Sequence, residues 1–406
     1  MSGPLKHVKV LDMSRILAGP WAGQLLADYG ADVIKVEKPQ TGDDTRHWGP
    51  PWLKDAADHP TADAAYFLAA NRNKRSVTCN LAHPDGQKVI QDLVAQSDIL
   101  IENYRVGSLS RYGLDAATLR SLKPELIYCS ISAYGQKGSR CAEAGYDAVI
   151  QASAGLMSIT GDAESSGGRP QKVGVAVADI MAGMYAVTAI LAALTARQHT
   201  GKGQHIDVPL FDSQVAWLAN QGMNYLVGGS IPGRYGTAHP NIVPYQSFAT
   251  ADGEIMLAVG SDTQFAACAE VLGLPELAEN DLFRCNANRV INREQLCHLI
   301  AGILKMASSE HWLELFRAKG IPAGPINDLA AVFSDPQVTE HQLVRYLDHP
   351  VAGKVPTISN PVNFSTTKVA YERAPPTLGQ HTREILLDDL GYSAAKIESL
   401  YTAGAI

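Results

Sequence analysis

The chain has 406 residues, 46% hydrophobic and 18% charged, a globular composition long enough for two or three units with a buried core and no stapling metal or disulfide. Its net charge of −7, without a block of like charge, gives no basis for a nucleic-acid partner. Six cysteines (Cys79, Cys129, Cys141, Cys268, Cys285, Cys297) without CxxC spacing predict reduced thiols in a cytoplasmic protein, and the N-terminus carries no signal or transit pattern.

In chain order, residues 7–11 predict a short strand, 14–20 a loop and 21–29 a helix stopped at Gly30. Residues 33–36 are a second, β-branched strand that runs into Glu37-Lys38-Pro39. Strand, helix and strand this close together predict a βαβ unit and a parallel sheet. The alternation continues with a helix from residue 83 to about 96, a strand at 98–102, a helix at 114–122 and a strand at 126–131. Residues 161–168 are a polar, glycine-rich loop. A long helix is predicted from Asp179 to about His199. Its uncharged stretch, 180–196, is short for a membrane span of about 20 residues, so a buried core helix is expected. Past residue 220, strands at 245–250 and 254–259 flank Ala251-Asp252-Gly253, a hairpin signal. Helices dominate 264–319. The pattern predicts an α/β protein with a large domain at 1–224, a smaller one at 225–330, and a proline-bearing segment at 331–406 that returns to the first.

A first strand, a glycine-bearing turn and Glu37 at the end of the second strand invite a dinucleotide-binding reading. The turn, however, reads Ser14-Arg15-Ile16-Leu17-Ala18-Gly19-Pro20, not the G-x-G-x-x-G that lets backbone approach a pyrophosphate. The fold type stands without that cofactor.

Asp179 is a lone carboxylate between the apolar run Val173-Gly174-Val175-Ala176-Val177-Ala178 and the apolar helix that follows. A buried acid must be paired or hydrogen-bonded, and a helix start supplies backbone donors and a favourable dipole. An ordinary N-cap therefore accounts for it. The small residues around it (Gly174, Ala176, Ala178, Ala182, Gly183) are what a nucleophile admitting a bulky acyl group needs and an N-cap does not.

Several segments in register resemble the class III coenzyme A transferases, the family of formyl-CoA transferase and the carnitine CoA-transferases. They are Ala18-Gly19-Pro20; Ala31-Asp32-Val33-Ile34-Lys35-Val36-Glu37; Asn71-Arg72-Asn73-Lys74-Arg75-Ser76; Glu102-Asn103-Tyr104; the stretch at 174–185; and Thr200-Gly201-Lys202-Gly203-Gln204. Further stretches, Gly42-Asp43-Asp44-Thr45-Arg46-His47-Trp48 and Arg234-Tyr235-Gly236-Thr237-Ala238-His239 among them, resemble its succinyl-CoA:glutarate branch.

The resemblance implies a Rossmann-like parallel-sheet domain plus a smaller α+β domain, and an interlocked homodimer. It implies coenzyme A as substrate, with no bound prosthetic group or metal and no membrane partner. Carried over by position, Asp179 becomes the catalytic aspartate. The coenzyme pocket would draw on Ile16, Leu17, Ala18, Lys38, Asn80, Leu81, Asn103, Tyr104, Arg105, Arg111 and Tyr146, with the cations facing phosphates. Arg46, Arg234, His239, Tyr245 and Gly260 are candidates for contact with a dicarboxylic acid such as glutarate or itaconate. The chain departs from formyl-CoA transferase at Arg15 and Leu17, where that enzyme has His and Gln, and at its active-site glycine loop, of which Gly260 and Gln264 keep the look. Two other readings remain on this fold: an α-methylacyl-CoA racemase and a catalytically silent CoA-binding protein. The racemase needs a His where this chain has Tyr146, a group of pKa about 10 and no base near neutrality.

Overall fold

The computed structural model of the chain describes residues 3–406. Six strands form its main sheet: β1 (Lys9–Asp12), β2 (Asp32–Glu37), β3 (Lys74–Thr78), β4 (Ile99–Glu102), β5 (Ile127–Ser132) and β6 (His205–Pro209). Every pair is parallel, and the order across the sheet is β3-β2-β1-β4-β5-β6. The helices between them include α1 (Ala18–Asp28), α2 (Pro84–Gln96), α3 (Ala116–Leu122), α4 (Asp147–Ser153) and α5 (Val177–Thr200). Successive strand residues point to opposite faces. Val10, Ile99 and Ile101 join one buried cluster with α1 and α5, while Leu11 and Leu100 join another with α2. A sheet covered on both faces is what near-continuous apolar strands predict.

The chain divides into two compact units. The first holds the sheet and comprises Met1–Leu156, Val173–Gly228 and Pro336–Ile406; the second comprises Met157–Lys172 and Gly229–Asp335. The sequence places its divisions at 224 and 330 and leaves the 161–168 loop in the first domain; the structure groups that loop with the second unit. There, β7 (Tyr245–Ala249), β8 (Glu254–Ala258) and β9 (Ala323–Pro325) form an antiparallel sheet with β8 central. Packed with it are α6 (Asp262–Val271), α7 (Arg293–Leu304) and α8 (Ser309–Ala318), whose Phe265, Ile300 and Phe316 are buried. The closing segment adds a hairpin, β10 (Val344–His349) with β11 (Gly353–Ile358), and helix α9 (Ala394–Thr402). It is stitched to the edge strand β3: Thr78 N–H donates to Thr382 Oγ1 (3.0 Å) and Ser76 N–H to His381 Nδ1 (3.1 Å).

Two strands of the main sheet escape the sequence reading. Lys74-Arg75-Ser76-Val77-Thr78 carries two cations, yet all five residues are buried. Their charges are met inside: Lys74 Nζ donates to Asp12 Oδ2 (2.8 Å), and Arg75 pairs with Asp32 and Asp389. The second, β6, has Ile206 and Val208 as its only aliphatic residues. Among the described residues α5 is the one helix long and apolar enough to cross a membrane; Ala178, Ala182, Ala186, Ile190 and Ala193 bury one side of it in the core, as expected of a core helix.

Candidate active site

In an open parallel sheet, ligands bind beyond the carboxyl ends of the strands where the strand order reverses. Here the reversal lies between β1 and β4. A cavity of about 230 Å³ opens there, lined by Arg15, Ile16, Leu17 and Ala18 after β1 and by Asn103, Tyr104 and Arg105 after β4. Ser132 and Ala133 at the end of β5, Tyr146, and Asp179 complete the wall. Eight of the expected residues thus surround one space: Ile16, Leu17, Ala18, Asn103, Tyr104, Arg105, Tyr146 and Asp179.

Asp179 is not an N-cap. The cap of α5 is Ala176, and Asp179 lies in the first turn with 8% of its surface exposed. Among the described residues no donor is paired with its carboxylate. The free N–H of Ala178 is met by another residue, Asp147 Oδ1 (2.8 Å), while Asp147 Oδ2 accepts from Gln151 Nε2 (2.7 Å). Burial, and then the neighbouring Asp147 charge, push the Asp179 carboxyl up to about 7. The sequence reading gives this group backbone donors and a favourable helix dipole. That dipole is worth roughly 0.3–1 kcal/mol, less than one pKa unit, and burial outweighs it. The Tyr66 hydroxyl is also raised, by burial first and then by the charges of Asp179, Asp147 and Asp43. Neither Asp147 nor Tyr66 was a candidate from sequence; Asp147 follows Tyr146 directly, and its signal was an acid opening an apolar helix.

The small residues near Asp179 have another reason than clearance for an acyl group. A Cβ on Gly183 would lie 2.7 Å from the Ala18 carbonyl oxygen, so this glycine lets α5 pack against α1. Ala178 and Ala182 are wholly buried in the same core.

The loop that enters α1 is held tightly. Ile16 has φ +72°, which costs a β-branched residue roughly 1–2 kcal/mol. Its N–H donates to Asp43 Oδ1 (3.2 Å), and Asp43 Oδ2 is bound by the buried Lys35 (2.8 Å). Lys35 Nζ also donates to the Ser14 carbonyl (3.0 Å). Burial opposes ionisation of Asp43, yet Lys35 and the bonds from Thr45 hold it at about 2. Asn103 grips Arg15 at both ends: it accepts from the Arg15 N–H (2.8 Å) and donates to the Arg15 carbonyl (2.6 Å).

The other candidates lie apart. Lys38 and Asn80 line a larger cavity of about 510 Å³ at the carboxyl ends of β2 and β3, with Thr78, Gly379 and Thr382. Leu81 and Arg111 line neither cavity: Leu81 packs on the core, and Arg111 lies over the Tyr112 ring at 4.6 Å. Arg46 is not free to meet a substrate. It is 2% exposed, bonded to Glu37 through Nε and Nη2 (2.8 and 2.7 Å), to Asp63 (2.5 Å) and to the Pro376 carbonyl, and stacked on Phe67. Arg234, His239, Tyr245 and Gly260 belong to the second unit. Arg234 lines a cavity of about 360 Å³ with Tyr235 and Arg293, and pairs with Glu164 (3.2 Å). His239 meets Tyr245 edge-on at 5.3 Å; burial first, then Arg293, lowers its pKa. The Gly260 N–H donates to Gln264 Oε1 (2.9 Å), the side chain four residues on.

A sequence model of CoA-transferase family III matches residues 5–382. The chain is 45% identical over 385 residues to the succinate–glutarate CoA-transferase of Agrobacterium fabrum, covering 95% of each. It is 44% identical to the human succinyl-CoA:glutarate CoA-transferase, covering 99% of this chain and 90% of that one. Among solved structures, a CAIB/BAIF family protein from Brucella suis superposes with a TM-score of 0.83 at 44% identity, over 96% of this chain and all of that one.

Proposed function

Because the chain belongs to CoA-transferase family III, we propose that it moves coenzyme A from succinyl-CoA to a glutarate-like dicarboxylate by double displacement at Asp179. The observation that carries the mechanism is an acid 8% exposed, without a hydrogen-bond donor among the described residues, in the wall of a cavity at the sheet's switch point. A carboxylate stripped of water is a stronger nucleophile, and an anhydride survives only where water is kept out.

The ionised Asp179 oxygen attacks the thioester carbonyl, and the C–S bond breaks to leave an aspartyl–acyl anhydride and CoA thiolate. The thiolate then attacks the aspartyl carbonyl, giving an aspartyl-CoA thioester and releasing the donor acid. The acceptor carboxylate attacks that thioester and expels the thiolate, which attacks the acceptor's acyl carbon. Asp179 is regenerated without net proton change. The coenzyme lies along the carboxyl edge of the sheet, from the cavity of Lys38 and Asn80 to that of Asp179. Strands about 4.8 Å apart place these openings roughly 10–15 Å from one another, a span for an extended pantetheine arm.

The test is CoA exchange between succinyl-CoA and a panel of carboxylic acids, run beside Asp179→Asn and with hydroxylamine added. Dicarboxylate preference, loss of exchange in the variant and an aspartyl hydroxamate at residue 179 are expected. Turnover that persists in Asp179→Asn, or no hydroxamate, overturns the mechanism; a preference for monocarboxylates overturns the acceptor.

A further inference from the structure

Three consecutive residues before α1 each have a main-chain group bound by a side chain from elsewhere in the sheet unit. The Ser14 carbonyl is held by Lys35, the Arg15 peptide at both ends by Asn103, and the Ile16 N–H by Asp43. The last of them, Ile16, occupies left-handed backbone, where its branched Cβ is disfavoured. Such a conformation persists only when its surroundings over-determine it. The chain then enters α1 at Leu17, an N-cap with no side-chain bond, and Leu17 and Ala18 line the cavity of Asp179. Asn103 itself has its amide oxygen and one amide N–H committed to Arg15, although it too lines that cavity.

We propose that Asn103 is a positioning residue for group transfer at Asp179: together with Asp43 it holds the turn at residues 15–17 in its left-handed shape, and it acts on the thioester through that turn rather than by touching the coenzyme. The proposal rests on the reading of Asp179 given above. Lys35 supports the arrangement from behind, bonded at once to Asp43 and to Ser14, so the turn is fixed to β2 as well as to the end of β4. A displaced wall misaligns the attacking carboxylate and the thioester while leaving most contacts along the coenzyme in place. Misalignment is therefore read in kcat, and a lost contact in KM.

The experiment measures steady-state exchange on Asn103→Ala, Asn103→Asp and Asn103→Ala combined with Ile16→Gly, beside Ile16→Gly alone, with thermal unfolding recorded on the same samples. Asn103→Ala is expected to lower kcat on the order of a hundredfold with KM for the acyl-CoA changed less than about threefold. Asn103→Asp, which keeps the acceptor for the Arg15 N–H and loses the donor, falls between this variant and the parent, and it carries the test if the alanine variant does not fold. Adding Ile16→Gly to Asn103→Ala recovers roughly tenfold in kcat, because glycine adopts the positive φ without the clash the clamp has to overcome. A loss dominated by KM, a kcat loss that Ile16→Gly leaves unrepaired, or an unchanged kcat overturns the proposal. Failure of the underlying reading shows separately, as turnover surviving Asp179→Asn in the parent background.

Discussion

At the scale of single residues the decisive balance is at Asp179, where burial and the Asp147 charge raise the carboxyl to about 7. Only the ionised form attacks, so kcat/KM for the acyl-CoA should rise with pH through about 7 and then level, which a pH profile at low substrate measures. Asp147→Asn removes the like charge, and its profile should be displaced to lower pH. Stability runs the opposite way. The native carboxyl keeps its proton to about 7, whereas the unfolded one loses it near 3.8, so the native state binds more protons between those values and stability falls as pH rises. Asp179→Asn should consequently unfold at higher temperature than the parent at pH 8, with the gap closing toward pH 4. The sequence pointed to this residue through its isolation in an apolar run. It did not reveal the environment, because Asp147 is a neighbour only after α4 and α5 have packed.

At the scale of elements, close approach explains what composition left ambiguous. Gly183→Ala forces a Cβ against the Ala18 carbonyl and should cost about 1–3 kcal/mol in urea unfolding, as overpacked contacts do. Because Ala18 lines the cavity, exchange should fall as well. The opening β1-α1-β2 unit was legible since its apolar residues carry the strand and helix periods. The charged edge strand was not. Lys74 and Arg75 lie in β3 because Asp32 on the neighbouring strand β2 and Asp12 on β1 beyond it meet their charges. Arg46 was misread for the same reason: its partners Glu37 and Asp63 stand 9 and 17 positions away, and only the fold joins them. Arg46→Ala leaves buried carboxylates uncompensated and should cost about 3–5 kcal/mol in chemical denaturation. A role in acid binding would instead alter dicarboxylate selectivity and spare stability.

At the scale of the whole molecule, βαβ alternation announced the parallel sheet, whereas its 3-2-1-4-5-6 order and switch point emerged only from the fold, because both edge strands lack an apolar run. The division of the chain was foreseeable only in outline, because nothing local marks Met157–Lys172 as part of the second unit. The closing segment returns to the first unit with tight bonds: Thr382 lies 304 positions from Thr78 and accepts its buried N–H. Thr382→Val strands that donor and should cost about 1–3 kcal/mol by urea unfolding, a measure of how far the last residues stabilise the sheet.

The Asp179 carboxyl that is half protonated near pH 7 makes the first covalent step a source of protons as well as of anhydride. Below that pH an acyl-CoA that acylates the enzyme must drive one hydrogen ion into solution, and the regenerated Asp179 carboxyl takes one back at the end of the cycle. The heat of single-turnover acylation should therefore vary with the ionisation enthalpy of the buffer at pH 6 and lose that dependence at pH 8. Calorimetry in two buffers would then weigh the hidden proton directly.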